Sequence, residues 1–380
     1  RTLLEEAVNF YRHNLLQTQA GQIALAYLRK RGLENQTIET FGLGYAPDSW
    51  DAAATYFGGK GYAPTDLLEA GLVTERTGSS GIYDRFRHRI TFPIRDGMGR
   101  MAGFGARILR PEDQPKFLNS PQTALFDKGR LLYGLDLARK PIRAQDQVVI
   151  VEGYLDVILL HQAGYPNTVS PMGTALTEDQ LRLLKRFTRR IVLALDADAA
   201  GEKATLRGLE VAREAMDHSE ELVFDARGLM RHEARLQADV RVTTLPPGKD
   251  PDEVVLADAA VWGKILESAQ PVVIHVMDTL AVGRNLDDPK TKSEIAARVL
   301  PLIDDVPNAI EREAYRQRLA RLIRVDERAL QSGLPAARPT RRPPRIQPAR
   351  ERPASPVQLS AAQSVARLEA HALRLLLRQP

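Results

Sequence analysis

Apolar residues recur at helical spacing near the beginning of the chain. They are three to four positions apart through Leu3–Leu16 and again through Ile23–Arg31, which is the period of an amphipathic helix. Gly32, and later Gly42 and Gly44, interrupt this pattern and predict the helix ends. The opening part of the chain is therefore predicted to be largely helical.

The spacing changes to an extended pattern after this region. Arg89–Ile94 and Arg100–Ile108 predict two strands, and the sequence Asp96-Gly97-Met98-Gly99 between them predicts the turn that joins them. Phe86 and Phe92 alternate with arginines, so we expect both rings to pack in the core.

A regular alternation of strands and helices follows. Short apolar runs predict strands at 147–151, 168–170, 191–195 and 240–245, and the helices between them are predicted at 155–162, 177–187 and 201–216. Thr177, with Gln180 three residues later, predicts a capping box at the start of one helix. Strands that alternate with helices indicate a parallel sheet covered by helices.

The remaining segments differ in composition. Residues 219–239 are long for a simple connection, which predicts an insertion, and residues 252–330 have helical apolar faces such as Ala309–Ile323. Residues 335–356 are dominated by Pro and Arg, which favours an extended linker. Ala361–Leu377 is again amphipathic and predicts the beginning of another helical unit.

The composition narrows the class of protein. The 380 residues are 43% hydrophobic and 27% charged, as in globular proteins, and the length predicts at least two folded units. No apolar run approaches the length of a membrane span and no signal-peptide core is present, so a cytoplasmic protein is expected. The absence of cysteine excludes disulfides, a thiol nucleophile and a Cys-based zinc site in this chain.

Charge is segregated along the chain. The formal net charge is +5, which favours an anionic partner such as nucleic acid. The Arg/Pro segment 338–353 alone contributes +5, whereas residues 84–143 contain thirteen Lys/Arg against six Asp/Glu, a net +7. The functional signal is therefore the basic segment 84–143, which leads into an acidic one.

Carboxylates stand just after three of the predicted strands, at the edge where open α/β sheets bind ligands. They are Glu152 and Asp156, Asp196 and Asp198, and Asp250 and Asp252. Six carboxylates at one edge would repel one another unless cations neutralised them, and oxygen ligands without His or Cys favour Mg²⁺ or Mn²⁺. The alternative is structural: the Asp-X-Asp pair would cap the following helix, and Glu152 would face solvent.

Three blocks of sequence around these carboxylates resemble the toprim domain. They are Val149-Ile-Val-Glu-Gly-Tyr-Leu-Asp156, Gly173-Thr174 and Leu195-Asp-Ala-Asp-Ala-Ala-Gly201. Topoisomerases, some nucleases, recombination mediators and bacterial primases share this domain. The resemblance implies catalytic and metal-binding roles for Glu152, Asp196 and Asp198.

The basic segment resembles one of these families more closely. Its motifs are similar to the RNA-polymerase core of bacterial primases, and the likeness extends over residues 1–330. The motifs are Asp84–Asp96, Gly103–Arg107, Pro115–Gln122, Phe126–Arg130 and Leu132–Gly134. Gln122 departs from the family, which frequently has Glu at this position.

The resemblance implies that six residues contact template or nucleotide: Arg85, Arg87, Arg107, Lys116, Asn119 and Lys128. If residues 85–89 form one strand, Arg85, Arg87 and Arg89 project to the same face. We expect Trp50 and Trp262 to be packing anchors, and the isolated His88, His161 and His275 to have local structural or surface roles.

The resemblance implies synthesis of short RNA primers on single-stranded DNA from ribonucleoside triphosphates, using two or more Mg²⁺ or Mn²⁺ ions. The expected partners are the template, the RNA–DNA hybrid and the replicative helicase, the last through a C-terminal domain that this chain lacks. The zinc domain of the family is expected to be missing too. The alternatives are a toprim nuclease or topoisomerase, which would cut DNA without nucleotides, and a non-catalytic toprim scaffold that binds DNA.

The expected fold is α/β, or α+β overall, with a parallel toprim sheet flanked by helices. The expected division is a basic mixed α+β subdomain at 1–143, the toprim subdomain at 144–252 and a helical subdomain at 253–330. The linker would occupy 331–358, and a truncated helicase-binding domain would begin at 359–380.

Overall fold

The computed structural model describes residues 1–76, 78, 81–173, 176–194, 218–224, 230–236, 238–246 and 248–332. Arg1–Leu330 form one compact unit. Within the described residues, no helix is long and apolar enough to cross a membrane. The predicted helix 201–216 and the segments 335–356 and 361–377 lie outside the described residues, as do Thr174, Asp196 and Asp198.

Helices dominate the beginning of the chain, as predicted. They are α1 (Thr2–Gln17), α2 (Gln19–Lys30), α3 (Asn35–Thr40), α4 (Ala52–Gly59) and α5 (Pro64–Glu69). Thr18 caps α2 because its hydroxyl accepts the Gly21 N–H.

An antiparallel sheet follows these helices. Its strands, in spatial order, are β1 (Gly44–Ala46), β4 (Arg89–Arg95), β5 (Met101–Ile108) and β6 (Phe117–Asn119). The strands β2 (Val73–Glu75) and β3 (Ile82–Asp84) pair separately. Residues 96–100 connect β4 and β5, which confirms the predicted hairpin, and Phe86 and Phe92 are fully buried as expected.

The second sheet is parallel apart from one edge strand. A short 3₁₀ helix (Lys128–Arg130) and α6 (Leu135–Gln145) precede it. Its elements along the chain are β7 (Val148–Ile150), α7 (Tyr154–Gln162), β8 (Thr168–Val169), α8 (Glu178–Leu184), β9 (Arg190–Leu193), β12 (Asp239–Val242) and the antiparallel edge strand β13 (Gln270–Pro271). The spatial order is β13-β12-β9-β7-β8. The capping box of Thr177 and Gln180 is present at α8.

Both faces of the parallel sheet are buried, which explains why its strands are wholly apolar. Val148 and Ile150 point into one core with α6 and α8, whereas Val149 and Val151 point into a second core with α7. The second core also contains Phe92 of the antiparallel sheet. The two sheets are therefore joined through a shared core.

The segment 219–239, predicted to be an insertion, contains an antiparallel hairpin of β10 (His218–Phe224) and β11 (Met230–Leu236). The helical prediction for 252–330 is largely confirmed. The helices are α9 (Pro251–Ala257), α10 (Ala259–Glu267), α11 (Val272–Ala281), α12 (Pro289–Asp304), α13 (Ala309–Leu322) and α14 (Glu327–Ser332). Within residues 252–330 the strand β13 was not predicted, because two residues are too few to form a pattern. The expected fold class is thus confirmed: a parallel sheet flanked by helices, after a mixed α+β region and before a helical one.

Candidate active site

Glu152 lies where the chain leaves β7 and enters α7, at the carboxyl edge of the parallel sheet. Its backbone carbonyl accepts hydrogen bonds from the Ser170 hydroxyl (2.6 Å) and the Gly173 N–H (3.1 Å). The turn after β8 is therefore tied to the turn after β7. This contact fixes the backbone of Glu152, whose side chain is half-buried.

Asp156 joins two helix beginnings. Its Oδ2 accepts the N–H of Gly153 at 3.0 Å, and its Oδ1 accepts the N–H of Asp252 at 3.3 Å. The first contact caps α7, and the second holds the first turn of α9 beside it. Asp156 thus lies at the sheet edge, as predicted, with both oxygens bound to backbone.

Asp252 is buried and forms an ion pair with a residue far away in the sequence. Its Oδ2 lies 2.5 Å from Nη2 of Arg31, just beyond the end of α2, and its side chain is 3% exposed. Burial raises the pKa of Asp252, and the Arg31 guanidinium opposes this effect. Asp250, the N-cap of α9, is exposed.

The structure describes four of the six predicted carboxylates, Glu152, Asp156, Asp250 and Asp252. It describes no group of three or more Asp, Glu or His side chains arranged to hold a metal ion; Asp196 and Asp198 lie outside these residues. The donor chemistry fits a hard divalent cation, because the available ligands are carboxylate oxygens. In addition, Oδ1 of Asp252 is buried without a hydrogen-bond partner among the described residues.

The prediction that Arg85, Arg87 and Arg89 lie on one face of a strand is wrong. Strand β4 begins only at Arg89, and the preceding residue, His88, has a φ of 49°. This left-handed backbone conformation breaks the strand alternation. The three guanidinium groups consequently point to different neighbours.

Each of these arginines has its own internal partner. Arg85 donates from Nε and Nη2 to the backbone oxygen of Asn119 at 3.0 and 2.8 Å. Arg89 is buried and donates to the Pro115 carbonyl at 2.7 Å. Arg87 donates to the Asp84 carbonyl and lies 4.0 Å from the ring centre of Trp50.

Trp50 is exposed, so its predicted role as a packing anchor is wrong. Its side chain is 59% exposed and carries the Arg87 guanidinium on its face, with Tyr83 edge-on at 5.5 Å. An aromatic ring beside a cation is a platform on which nucleobases stack. By contrast, Trp262 is fully buried as expected.

A second group of cations surrounds Phe117 on β6. The guanidinium carbon of Arg107 lies 5.3 Å from the ring centre, and Nζ of Lys116 lies 5.8 Å from it. Phe117 is 41% exposed. These contacts bring Arg107 and Lys116 together on the antiparallel sheet.

Lys128 is held by α8 of the parallel-sheet region. Nε2 of Gln180 donates to the backbone oxygens of Lys128 (3.0 Å) and Leu131 (2.8 Å), and the Thr177 hydroxyl donates to Gly129 O. Burial lowers the pKa of the Lys128 ammonium. The capping box of α8 therefore also positions a predicted ligand-binding lysine.

Tyr154 connects the acidic and basic regions. It follows Glu152 by two residues, and its hydroxyl donates to Oδ1 of Asn119 on β6 at 2.6 Å. Its ring stacks on Phe92 at 5.0 Å. Glu152 is therefore placed beside the sheet that carries Asn119, Lys116 and Arg107.

The histidines have local structural contacts, as expected. His161 is bound to the Thr168 carbonyl at 2.8 Å, and His88 to the Tyr45 hydroxyl at 3.0 Å. His275 lies 3.4 Å from Nε2 of Gln270.

A groove of about 570 Å³, lined in part by Arg190 and Asp239, lies where β9 and β12 begin, at the opposite ends of the strands from Glu152.

Sequence reasoning missed Arg31, Tyr154 and the exposure of Trp50. Arg31 and Asp252 are 221 positions apart, so no local pattern connects them. Tyr154 resembles any apolar residue of a buried helix. No local pattern indicates the exposure of Trp50, because Arg87, whose guanidinium lies over its ring, is far away in the sequence.

Three family models match successive parts of the chain. The family model described as DNA primase catalytic core, N-terminal domain, matches residues 10–139. A model described as Toprim domain matches residues 146–220, and a model described as DnaB-helicase binding domain of primase matches residues 275–328.

Similar proteins and structures carry the same names. The chain is 35% identical over 326 residues to a DNA primase of Clostridium acetobutylicum. This match covers 86% of this chain and 50% of that protein. It thus spans about half the length of the curated relatives it matches. A solved DNA primase domain from Pseudomonas aeruginosa is 36% identical, with a TM-score of 0.74 over 87% of this chain and 98% of that one.

A solved DnaG primase catalytic domain bound to ssDNA is 34% identical to this chain. The TM-score is 0.71, and the match covers 86% of this chain and 96% of that one. With the two sheets and their arrangement described above, these matches show that the chain belongs to the DnaG-type family of bacterial primases, as an RNA-polymerase core that contains a toprim domain.

Proposed function

We propose that this chain synthesises short RNA primers on a single-stranded DNA template from ribonucleoside triphosphates. The observation that supports this most directly is the contact of Tyr154 with Asn119, which places the carboxylate edge beside the cationic sheet. Phosphoryl transfer on a template needs both kinds of site together: carboxylates for metal ions and cations for phosphates. The similarity to a primase domain bound to ssDNA supports the same substrate.

In the reaction, the 3′-hydroxyl of the growing strand attacks the α-phosphate of the incoming nucleotide, and pyrophosphate leaves. We assign the catalytic roles to Glu152, Asp196 and Asp198. Two or more Mg²⁺ or Mn²⁺ ions would neutralise the developing charge and orient the phosphates. Glu152 could alternatively accept the proton of the attacking hydroxyl.

Asp156, Asp250 and Asp252 are proposed to assist in metal binding. Asp156 acts through the two helix turns it caps, and Asp252 offers Oδ1, because Oδ2 is paired with Arg31. Exposed Asp250 stands at the beginning of the same helix.

The template and nucleotide are proposed to lie against the basic sheet, on residues that bind phosphates and not base edges. We assign this role to Arg85, Arg87, Arg107, Lys116, Asn119 and Lys128. Phosphate contacts carry little sequence information and make affinity strongly salt-dependent. The proposed product is an RNA–DNA hybrid, which would lie against the same basic sheet.

The wider organisation is also a proposal. We divide the chain into a basic subdomain (1–143), a toprim subdomain (144–252) and a helical subdomain (253–330), followed by a linker (331–358) and a further helical unit (359–380). The replicative helicase is the proposed partner, in the cytoplasm. The helicase-binding family model at 275–328 supports this partner and favours a contact within the helical subdomain.

A priming assay tests the proposal. The purified chain with single-stranded template, ribonucleoside triphosphates and Mg²⁺ or Mn²⁺ should produce short RNA. The double variant that carries both Asp196→Ala and Asp198→Ala should abolish synthesis. The matched control, Glu267→Ala with Asp287→Ala, removes two carboxylates from exposed positions and should leave synthesis intact.

Undiminished synthesis by the Asp196 and Asp198 double variant would contradict the assignment. Cleavage of supercoiled or single-stranded DNA without nucleotides would favour the nuclease or topoisomerase alternative. A chain that binds DNA but neither Mg²⁺ nor Mn²⁺ would instead be a scaffold.

A further inference from the structure

Asn119 is held from two sides by residues of different elements. Its backbone oxygen accepts two hydrogen bonds from Arg85, at 3.0 and 2.8 Å, and its side-chain Oδ1 accepts one from the Tyr154 hydroxyl at 2.6 Å. Both oxygens of Asn119 therefore have partners within the protein.

A glycine makes room for the Tyr154 contact. Gly105 on β5 pairs with Asn119 on β6, and a Cβ atom at Gly105 would lie 2.5 Å from both Cζ and Oη of Tyr154. The Tyr154 ring is 3% exposed and stacks on Phe92 with an interplanar angle of 7°. Packing alone thus fixes where the hydroxyl points.

The orientation of the Asn119 amide follows from these contacts. Because Oδ1 is taken by Tyr154, the amide nitrogen Nδ2 points away from the tyrosine with two N–H donors. The described residues include no hydrogen-bond partner for Nδ2, and Asn119 is not fully buried.

We propose that Tyr154 and Arg85 are positioning residues that hold Asn119 so that its Nδ2 donates to a phosphate oxygen of the bound strand or of the nucleoside triphosphate. A phosphate oxygen is a hydrogen-bond acceptor, so it can bind a side-chain nitrogen that offers only N–H donors. The neighbouring cations Arg107 and Lys116 on and beside the same strand pair favour an anion there. This inference rests on the proposed function and adds a role for two residues that act through a third.

The test uses a pair of tyrosine variants. Tyr154→Phe removes only the hydroxyl that orients Asn119. Tyr133→Phe is the matched control, because Tyr133 packs edge-on against Tyr154 at 4.8 Å and its buried hydroxyl has no partner among the described residues. Loss of one orienting hydrogen bond should weaken phosphate binding roughly three- to tenfold, whereas Tyr133→Phe should leave it unchanged.

Two measurements distinguish the source of the phosphate. Fluorescence anisotropy with a labelled single-stranded oligonucleotide and no nucleotide reports the strand. The KM for ribonucleoside triphosphates at saturating template reports the triphosphate. The kcat and Tm of Tyr154→Phe should stay close to those of Tyr133→Phe. A weaker affinity for the oligonucleotide then identifies a phosphate of the strand, and a higher KM identifies the triphosphate.

Variants of Asn119 complete the test. Asn119→Ala should lose the same affinity as Tyr154→Phe or more, and adding Tyr154→Phe to it should have no further effect, because Tyr154 acts only through Asn119. Asn119→Asp keeps the acceptor for Tyr154 but replaces the donors by a negative charge, so it should lose the most.

Additive effects of Tyr154→Phe and Asn119→Ala would overturn the inference, as would equal binding by the two tyrosine variants. If the unaltered chain makes no RNA, the proposed function fails, but the anisotropy measurement still decides the role of Tyr154. The two failures are therefore distinguishable.

Discussion

In the basic region, guanidinium groups donate to backbone carbonyls and lie over aromatic rings, whereas at the edge of the parallel sheet carboxylates accept backbone N–H groups and one arginine. Arg85 and Arg89 are held by the carbonyls of Asn119 and Pro115. Asp156 is held by the N–H groups of Gly153 and Asp252. Each set of charges is thus oriented by backbone of the opposite polarity.

The difference lies in how each region gathers its charges. A parallel sheet brings the ends of distant strands to one edge, so Glu152 and the turn that leads into Asp252 meet by topology. The antiparallel sheet carries its charges on loops and strand faces, and side-chain packing decides where they point. We therefore expect substitutions at the acidic edge to alter stability most, and substitutions in the basic region to alter affinity and its salt dependence.

The largest expected effect is at Arg31, which compensates the buried charge of Asp252. Arg31→Ala should lower the free energy of unfolding by about 2–4 kcal/mol, because it leaves a buried carboxylate unpaired. Urea denaturation at neutral pH measures this loss. Arg29→Ala, which removes an exposed arginine from the same part of the chain, is the control and should cost much less.

The pH dependence of the Arg31→Ala variant sharpens this prediction. Burial already raises the pKa of Asp252, and removing Arg31 raises it further. The native state then binds a proton more readily than the unfolded state, so the lost stability should be regained as the pH falls through the native pKa. If the free energy of unfolding of Arg31→Ala lies below that of the unaltered chain by the same amount at pH 7.5 and pH 5, the ionised carboxylate of Asp252 is not the cause of the loss.

The next largest loss of stability is expected at Gln180, whose side chain links the two regions. Its fully buried amide donates to the carbonyls of Lys128 and Leu131 and closes the capping box of α8. Gln180→Ala should lower the free energy of unfolding by about 2 kcal/mol, since it leaves buried backbone groups unpaired. The control is Arg182→Ala on the exposed side of α8, which breaks an i,i+4 ion pair and should cost less than about 0.5 kcal/mol. Equal losses in the two variants would contradict the role of Gln180.

The four parallel strands of the second sheet were predictable because a short apolar run is a local signal, and its alternation with helices has a known topological consequence. The apolar run before Glu152 and the capping box at Thr177 were both recognised from a few neighbouring residues. The linkage of Arg31 to Asp252 and of Gln180 to Lys128 could not be predicted, because each joins residues whose proximity is a property of the finished fold.

Both errors in the basic region concern the direction in which side chains point, which is determined by packing and not by residue type. Strand alternation was assumed through Arg85–Arg89, but the positive φ of His88 ends it. Trp50 was expected in the core, since large aromatic residues are usually buried, yet a guanidinium covers one face and leaves the rest exposed. Residue type indicated the chemistry of this surface, but packing determined its geometry.

A smaller effect is expected at Trp50, which tests whether the basic region binds bases by stacking. Trp50→Ala should weaken single-stranded DNA binding by about 1–2 kcal/mol, and Trp50→Phe should lose less because a ring remains. Of the two tryptophans in the chain, Trp262 is buried. Quenching of tryptophan fluorescence by single-stranded DNA in a Trp262→Phe background would therefore report Trp50 directly, and unquenched fluorescence at saturation would exclude stacking.

The smallest expected effect is at Lys128, and it separates phosphate binding from stacking. Lys128→Ala should reduce the slope of log affinity against log salt concentration by about 0.7, which corresponds to one phosphate of a single strand. Trp50→Ala should leave the slope unchanged, because stacking releases no counterions. The control, Lys264→Ala on α10, removes the same charge from an exposed helix position and should not change the slope.

Anisotropy titrations at four or more salt concentrations measure these slopes. Because burial lowers the pKa of Lys128, its contribution to the slope should disappear at a lower pH than that of an ordinary lysine as the solution is made alkaline. If Lys128→Ala and Lys264→Ala have the same slope, Lys128 binds no phosphate, and the hydrogen bonds of Gln180 to its turn serve stability alone. If only Lys128→Ala changes the slope, α8 of the parallel-sheet region positions a cation of the basic region, and the two regions share one binding surface.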